Sequence, residues 1–363
     1  MTNQRSGQAE LYGVQMLRAV AALAVVVHHT LEQSNGAVHR FSPDWLTISG
    51  ASGVDIFFVL SGFIMLHVSF RGTDAPPTPG AFLLRRATRI YPFYWLCCLG
   101  VLTISAMGFL ATHHFPASRV VAALLLLPGD TILGVSWTLV YEVYFYLLFA
   151  ATLKARSATV SVFATTAAIL ALQVAGALLP ASDTASFLTS PLPLEFCFGL
   201  FLAYAYAAWS RRNRSWPVPP VAALALMGLM AAGPLFIMHD GTAGLPALPR
   251  VFAWGIPAAL VVASALSIGA APRGAIARFL VLLGDASYAL YLTHVFVMMG
   301  YGRVMKIEAF RHLPQQGFVV LIVLLCLAVG LVAHLCLEKP LLAVVRHVTR
   351  HQPRRAAPID QPA

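Results

Sequence analysis

Five runs of the sequence, each of 22 residues or more, contain no Asp, Glu, Lys or Arg. A helix needs about 20 residues to cross the hydrocarbon core of a bilayer, because each residue adds about 1.5 Å to its length. Each run is therefore long enough to span a membrane. The charge-free runs are residues 90–118, 157–182, 215–239, 251–272 and 313–337.

Five further stretches are nearly as apolar but carry isolated ionisable side chains, and they are residues 11–31, 54–70, 133–153, 184–210 and 279–301. Together the ten segments predict an all-α, polytopic integral membrane helix bundle. The composition agrees, because 10% of the residues are charged and 59% are hydrophobic, whereas a soluble domain carries about 25% charged residues. The apolar piece 120–127 is too short to span and is predicted to be re-entrant or interfacial.

The basic residues predict how the bundle lies in the membrane. With the N-terminus in the cytoplasm, about 16 Lys and Arg residues fall in cytoplasmic loops and 6 in external ones, as the positive-inside rule expects. Both termini are therefore predicted to be cytoplasmic. Basic loops that face anionic lipid also explain the net charge of +10, so nucleic acid is not an expected partner. Residues 1–345 are predicted to form the membrane domain, and 346–363 a short, basic, disordered tail.

Charged side chains inside a bilayer are costly, so those that occur point to polar cavities. Arg18 and His29 lie eleven residues apart in the first predicted helix, about three turns, and therefore project from nearly the same face roughly 16 Å apart along the axis. The predicted topology puts Arg18 toward the cytoplasm and His29 toward the outer side. The alternative is that Arg18 snorkels to the surface and His29 is an ordinary interfacial histidine.

The other ionisable residues fall into two predicted clusters. Asp55 and Glu142 are expected in the outer layer with His29, where an imidazole with a carboxylate partner suits general base catalysis. A covalent route through a serine stays open, with Ser61, Ser136 and Ser287 as the candidates. No elbow motif surrounds any of these serines.

The second predicted cluster lies at the cytoplasmic side. Arg85, Arg86 and Arg89 are spaced to line one side of a helix and to offer bidentate donors to phosphate, with Glu338 nearby. A plain topology anchor is the alternative for this RRxxR sequence. The five cysteines lie in predicted spans without metal-ligand spacing, so no metal site is predicted.

Six segments resemble the signatures of the acyltransferase family 3 membrane proteins, in the same order along the chain. They are LRAVAALAVVVHH (17–29), GVDIFFVLSGFIM (53–65), RRATRIYP (85–92), SWTLVYEVYFY (136–146), LGDASYALYLTH (283–294) and LEKP (337–340). The resemblance covers essentially the whole chain.

This resemblance implies an inner-membrane O-acyltransferase that moves a short acyl group, most often acetyl, from cytoplasmic acyl-CoA to a hydroxyl of a cell-envelope or exported glycan. It places the essential histidine at His29, the first-helix arginine at Arg18 and the basic motif at Arg86 and Arg89. The family's acidic positions fall on Asp55, Glu142 and Glu338. Acyl-CoA is the expected co-substrate, and no permanently bound cofactor is expected.

These observations combine into a mechanistic hypothesis. His29, Asp55 and Glu142 form the predicted catalytic group, and Arg18, Arg85, Arg86, Arg89 and Glu338 form the predicted acyl-CoA site. Arg18, Tyr291 and Ser61 are the candidate donors to the oxyanion. The rival hypothesis is a transporter or flippase for a lipid-linked glycan or small solute, because intramembrane charges at two depths also suit alternating access.

Overall fold

The computed structural model describes residues 11–37, 41–71, 75–109, 115–129, 131–212, 215–237, 246–269, 273–311 and 314–350. Helices and short turns form this part of the chain, and it contains no strand. The first nine helices are α1 (Tyr12–Ala37), α2 (Asp44–Ser49), α3 (Gly53–Ser69), α4 (Pro79–Ala106), α5 (Ala117–Leu124), α6 (Trp137–Thr152), α7 (Ala158–Ala177), α8 (Asp183–Thr189) and α9 (Leu194–Ser210). The others are α10 (Ala222–Ile237), α11 (Ala247–Arg250), α12 (Ile256–Ala265), α13 (Ala275–Asp285), α14 (Ser287–Val304), α15 (Glu308–Arg311), α16 (Gln315–Ala333) and α17 (Lys339–Arg350).

The predicted all-α membrane bundle is confirmed. In the described residues, eight helical segments are long and apolar enough to cross a bilayer, and the bent pair α13 and α14 makes a ninth if it is counted as one span. Several of these segments join two helices through a 3₁₀ or π turn. The π turn His334–Glu338, for example, links α16 to α17 in one segment that reaches Val348.

The seventh of the ten predicted spans is shorter than the sequence indicated. The charge-free run 215–239 contains the apolar helix Ala222–Leu235, which falls below the length of the other spans. Three prolines, Pro217, Pro219 and Pro220, keep the start of this run out of a helix because their rings fix φ and remove backbone donors. A count of uncharged residues does not show that prolines shorten the helix.

The ninth predicted span, 279–301, is bent by 77° between α13 and α14. Gly284 lies so close to α1 that an added Cβ would come within 2.0 Å of the Gln15 carbonyl oxygen. The chain turns at Ala286, and α14 begins at Ser287. The bend therefore brings the first turn of α14 against α1, where the candidate site lies.

Helix α1 lies in the middle of the bundle and packs against α3, α13, α14 and α16. Its central side chains are small, and Ala19, Ala21 and Ala22 are fully buried. Helices α3 and α9 also approach closely, because a Cβ on Gly62 would lie 2.0 Å from the carbonyl oxygen of Phe196. Backbone contact of this kind is typical of small residues between membrane helices.

Residues 120–127 do not form a span. They fall on α5 and the turn after it, and the eight residues of α5 cover only about 12 Å. Side chains of α4 accommodate its end, since Tyr91, Tyr94 and Trp95 donate hydrogen bonds of 2.8–3.1 Å to carbonyl oxygens of residues 123–125. These donors satisfy carbonyls that a helix end leaves unpaired.

The predicted tail begins at residue 346, within α17. Helix α17 continues to Arg350, and residues 351–363 lie outside the described part of the chain.

Candidate active site

A cavity of about 160 Å³ lies between α1, α3, α4, α6 and α14. We call it the main cavity. Its walls are largely apolar, but they carry four of the charged residues singled out in the sequence. The charged lining residues are Arg18, Arg86, Arg89 and Glu142. The fold thus gathers residues that are up to 124 positions apart in the chain around one space, as an active site requires.

Arg18 is fixed by the bend before α14. Its Nε and Nη2 atoms donate to Ser287 Oγ at 3.2 and 2.9 Å. Because Ser287 is the first residue of α14, the 77° bend determines where this acceptor lies. Arg18 is therefore held in the cavity wall, and the alternative that it extends to the membrane surface does not describe this structure.

Glu142 faces the main cavity together with two hydroxyl groups. Ser61 Oγ donates to Glu142 Oε1 at 3.1 Å, and the Tyr146 hydroxyl donates to the same oxygen. The sequence suggested a layer shared with His29, but His29 is not among the residues that line this cavity. Helix α6 begins at Trp137. Glu142 lies five residues, or about 7.5 Å, further along this helix.

Arg89 lies at the start of a buried charge network. It donates to Glu338 Oε1, and His334 Nδ1 donates to Glu338 Oε2 at 2.6 Å. The π turn at 334–338 places His334 and Glu338 on one side, while the guanidinium lies 5.5 Å from the Tyr288 ring centre. Glu338 is completely buried and does not line the main cavity, and it is a hydrogen-bond partner of Arg89, which does line it.

The three arginines of RRxxR line two cavities. Arg86 and Arg89 face the main cavity, whereas Arg85 lines a second cavity with Arg71. Arg86 borders both cavities.

A cluster of imidazole rings lies next to Tyr291, at the end of the main cavity opposite to Arg89. His29 Nδ1 donates to Glu32 Oε2 at 3.0 Å, and the His29 ring stacks on His294 with centroids 5.3 Å apart. His294 is buried and lies 6.0 Å, between ring centroids, from Tyr291, which lines the main cavity. His29 therefore does not line the cavity itself, and the rings of His294 and Tyr291 connect it to the cavity wall.

The hydrogen bonds of this cluster determine which imidazole nitrogens can accept a proton. A carboxylate or carbonyl oxygen only accepts, so Nδ1 carries the proton in His29, and in His294, whose Nδ1 lies 3.3 Å from the Leu290 carbonyl. The Nε2 atom of each neutral ring is then an unprotonated acceptor. His29 is 30% exposed, so an incoming hydroxyl can reach it.

Asp55 has a different partner from the one expected. Arg250 Nε and Nη2 donate to its two carboxylate oxygens at 3.0 and 2.9 Å. The guanidinium of Arg250 also lies 5.9 Å from the Trp137 ring and 5.1 Å from the Trp254 ring. This bidentate pair uses both oxygens of Asp55, so the described geometry gives no support to an Asp55 that orients His29.

A metal-binding geometry can also be considered for the imidazole cluster. His28, His29 and Glu32 each bring one donor atom within 4.8 Å of the others. His28 Nδ1, however, donates to the Thr47 carbonyl at 2.6 Å, and His29 donates to Glu32. These hydrogen bonds account for the orientation of both rings.

Sequence reasoning missed Glu32 and Arg250. The signal for Glu32 was present, because residues three apart in a helix are neighbours and Glu32 follows His29 by three. Arg250 gave no such signal, since it reaches Asp55 from a position 195 residues away in the sequence. Only the fold shows this pair.

Comparison with known proteins identifies the family. The family model described as an acyltransferase domain, that of acyltransferase family 3, matches residues 11–335. The chain belongs to this family, which confirms the resemblance carried by the six segments and favours a membrane acyltransferase over a transporter.

Curated relatives cover nearly the whole chain. The exopolysaccharide production protein ExoZ of Rhizobium meliloti (strain 1021) is 32% identical over 85% of this chain and 95% of its own length. The acyltransferase MdmB of Streptomyces mycarofaciens is 30% identical over 94% of this chain and 93% of its own. No solved structure matches the chain.

Proposed function

We propose that this protein transfers a short acyl group, in the first instance acetyl, from acyl-CoA to a hydroxyl of a cell-envelope or exported glycan. The main cavity carries the proposal. It has arginines on its walls, and Tyr291 in its lining contacts His294, the ring on which His29 stacks. Such an arrangement suits a phosphate-bearing donor whose reactive end must reach an imidazole.

The arginines suit the donor. Arg86 and Arg89 offer guanidinium groups to phosphate oxygens, which bind such planar donors in bidentate fashion. In the proposal the nucleotide part of acyl-CoA lies at the end of the cavity with Arg86 and Arg89. This end faces the cytoplasm, and the protein lies in a bacterial inner membrane. The apolar walls beyond it hold the pantetheine arm, and the thioester lies near Tyr291.

His29 is the proposed general base. Its Nδ1–H is held by Glu32, so its Nε2 is free to take the proton of an acceptor hydroxyl. The hydroxyl oxygen attacks the thioester carbonyl carbon, a C–O bond forms, and the C–S bond breaks. The imidazolium returns the proton to the CoA sulfur, and Glu32 stabilises the positive ring in between.

Of the three oxyanion donors that the sequence suggested, Tyr291 has the position next to the imidazoles. Arg18 is bound to Ser287 and Ser61 to Glu142, both at the main cavity. We therefore assign the oxyanion to the Tyr291 hydroxyl, which lies 2.9 Å from Thr138 Oγ1. For the carbonyl to approach, this hydroxyl must exchange its hydrogen bond to Val135 for one to the substrate.

The glycan acceptor is suggested by one relative, whose name connects it with exopolysaccharide production. The test uses purified protein with radiolabelled acetyl-CoA and a membrane extract that supplies glycan acceptors. We expect release of free CoA and label in a glycan, and neither product with His29→Ala. An intact acetyl-CoA pool with the wild type would refute the proposed function, and the same products from the alanine variant would refute the assignment of His29 as the base.

A further inference from the structure

The second cavity adjoins the main cavity. Met65 and Arg86 line both. Along α3 the lining residues recur every three or four positions, so they form one face of the helix. These residues are Val54, Phe57, Ser61 and Ile64 in the main cavity and Val68 in the second, and Arg71 follows two residues after the end of the helix. From residue 54 to residue 68 this face is about 21 Å long, which suits an elongated ligand rather than a compact one.

The second cavity is basic. Arg71, Arg85 and Arg86 line it, and no carboxylate is found among the described residues of its wall. The Nε atom of Arg86 is buried and has no hydrogen-bond partner. The guanidinium of Arg86 lies 5.9 Å from the Phe82 ring centre. Buried donors without partners are rare in proteins and call for an acceptor.

Arg89 differs from these three arginines. It is bound to Glu338, a carboxylate that is itself completely buried. The negative charge of Glu338 thus neutralises Arg89, whereas the described wall of the second cavity offers its three arginines no such partner. A ligand with two negative charges therefore gains more at the second cavity than at Arg89.

We propose that the second cavity binds the 3′-phosphate of the donor's adenosine, through Arg71 and Arg85, while Arg86 binds the diphosphate where the two cavities meet. The proposal rests on the proposed function and makes it more specific. CoA carries this phosphate monoester at the end opposite to its thiol, so the order of groups along the ligand matches the order of the cavities. The phosphate of an anionic lipid headgroup has the same chemistry and is the competing occupant.

The experiment compares two donors, acetyl-CoA and acetyl-dephospho-CoA, which lacks only the 3′-phosphate. KM is measured for each with the wild type, Arg71→Gln, Arg85→Gln and the double variant. Arg212→Gln is the control. It is an exposed arginine six residues beyond Tyr206, whose ring contacts His67 near the end of α3, so it lies at the same end of the bundle.

A charge-assisted hydrogen bond to phosphate changes affinity by about tenfold or more. We expect the wild type to prefer acetyl-CoA by about this factor in KM, and the double variant to lose the preference because its KM for acetyl-CoA rises. Its KM for acetyl-dephospho-CoA should stay within about twofold of the wild-type value. Arg212→Gln should keep the wild-type preference.

Each other outcome has a separate meaning. If the wild type turns over both donors and the variants keep its preference, the assignment of the 3′-phosphate is wrong and the proposed function stands. If the variants weaken both donors equally, and only in nanodiscs that contain phosphatidylglycerol, the cavity binds a lipid headgroup and the assignment is again wrong. If the wild type releases CoA from neither donor, the proposed function itself fails.

Discussion

The rings of His29 and His294 stack with an interplanar angle of 23°, and they connect α1 to α14 at the end of the bundle opposite to Arg89. Both helices also contribute to the main cavity, through Arg18 on α1 and Ser287 on α14. The hydrogen bond between Arg18 and Ser287 therefore joins the same two helices that the stacked rings join. With the hydrogen bond between Ser34 Oγ and the Tyr301 hydroxyl, at 2.9 Å, three contacts set the relative position of α1 and α14.

His29→Ala should lower turnover by about 10² to 10⁴, the usual contribution of a positioned general base, while the protein still folds and inserts. The measurement is initial CoA release per folded molecule. His28→Gln is the matched control, because His28 is the adjacent imidazole but donates to the Thr47 carbonyl. Equal losses in the two variants would show that the effect is not specific to the base.

Glu32→Gln tests the partner that the sequence reasoning missed. The amide can still accept the Nδ1–H bond, so the ring keeps its orientation, but the charge that stabilises imidazolium is lost. We expect kcat to fall about tenfold or more with KM for acyl-CoA unchanged, and Glu32→Asp to recover part of the activity. A rise in KM at constant kcat would assign Glu32 to substrate binding instead.

Glu338→Gln should act through Arg89. The change removes the buried negative charge that holds both the guanidinium and His334. Loss of a buried partner leaves a charge uncompensated, so the thermal unfolding midpoint in detergent should fall by several degrees. KM for acyl-CoA should rise because Arg89 is no longer fixed. If the unfolding midpoint and the KM both stay at wild-type values, the network does not position Arg89.

Asp55→Asn distinguishes a structural carboxylate from a catalytic one. Asp55 is completely buried and holds Arg250 through two hydrogen bonds, so its neutralisation should reduce stability and the yield of folded protein. The kcat of the folded fraction should stay within about threefold of the wild-type value. A stable variant with abolished turnover would restore the catalytic role that the sequence suggested.

Gly199→Ala should destabilise the contact between α3 and α9, because the new Cβ would lie 2.0 Å from the Val59 carbonyl oxygen. The control is Gly228→Ala in α10, where nothing lies within 4 Å of the position that the new Cβ would take. Alanine is favoured over glycine in a helix by about 0.5–1 kcal/mol, so the control should be neutral or slightly stabilising. Thermal unfolding of both variants in the same detergent checks this contrast.

The sequence was sufficient for the features that depend on local composition. Apolar runs of about 20 residues identify membrane helices because water is absent there and every backbone group must be paired within the helix. The same reasoning could not find the break in 279–301, since the close approach of Gly284 to α1 depends on a helix more than 260 residues away. Nor could it register three prolines that shorten α10 without adding a charge.

The candidate site divides in the same way. The spacing of Arg18 and His29 was readable from one helix, and both contact α14. The partners of Asp55 and Glu338 were not, because Arg250 and Arg89 reach them from distant helices. A carboxylate in a predicted span can serve an imidazole, a guanidinium or a hydroxyl, and sequence position alone does not distinguish these partners.

Four residues of α14 contribute to the candidate site. Ser287 accepts a hydrogen bond from Arg18, and the Tyr288 ring contacts Arg89. Tyr291 lines the main cavity, and His294 stacks on His29. Tyr291 follows Ser287 by four residues and Tyr288 by three, and His294 follows Tyr291 by three. These spacings place all four residues on one side of the helix. Deleting one residue between Tyr291 and His294 would rotate the distal half by about 100° and withdraw His294 from its ring partner, while leaving the proximal half in place. The spacing of these four residues along α14 is therefore as strictly constrained as their identity.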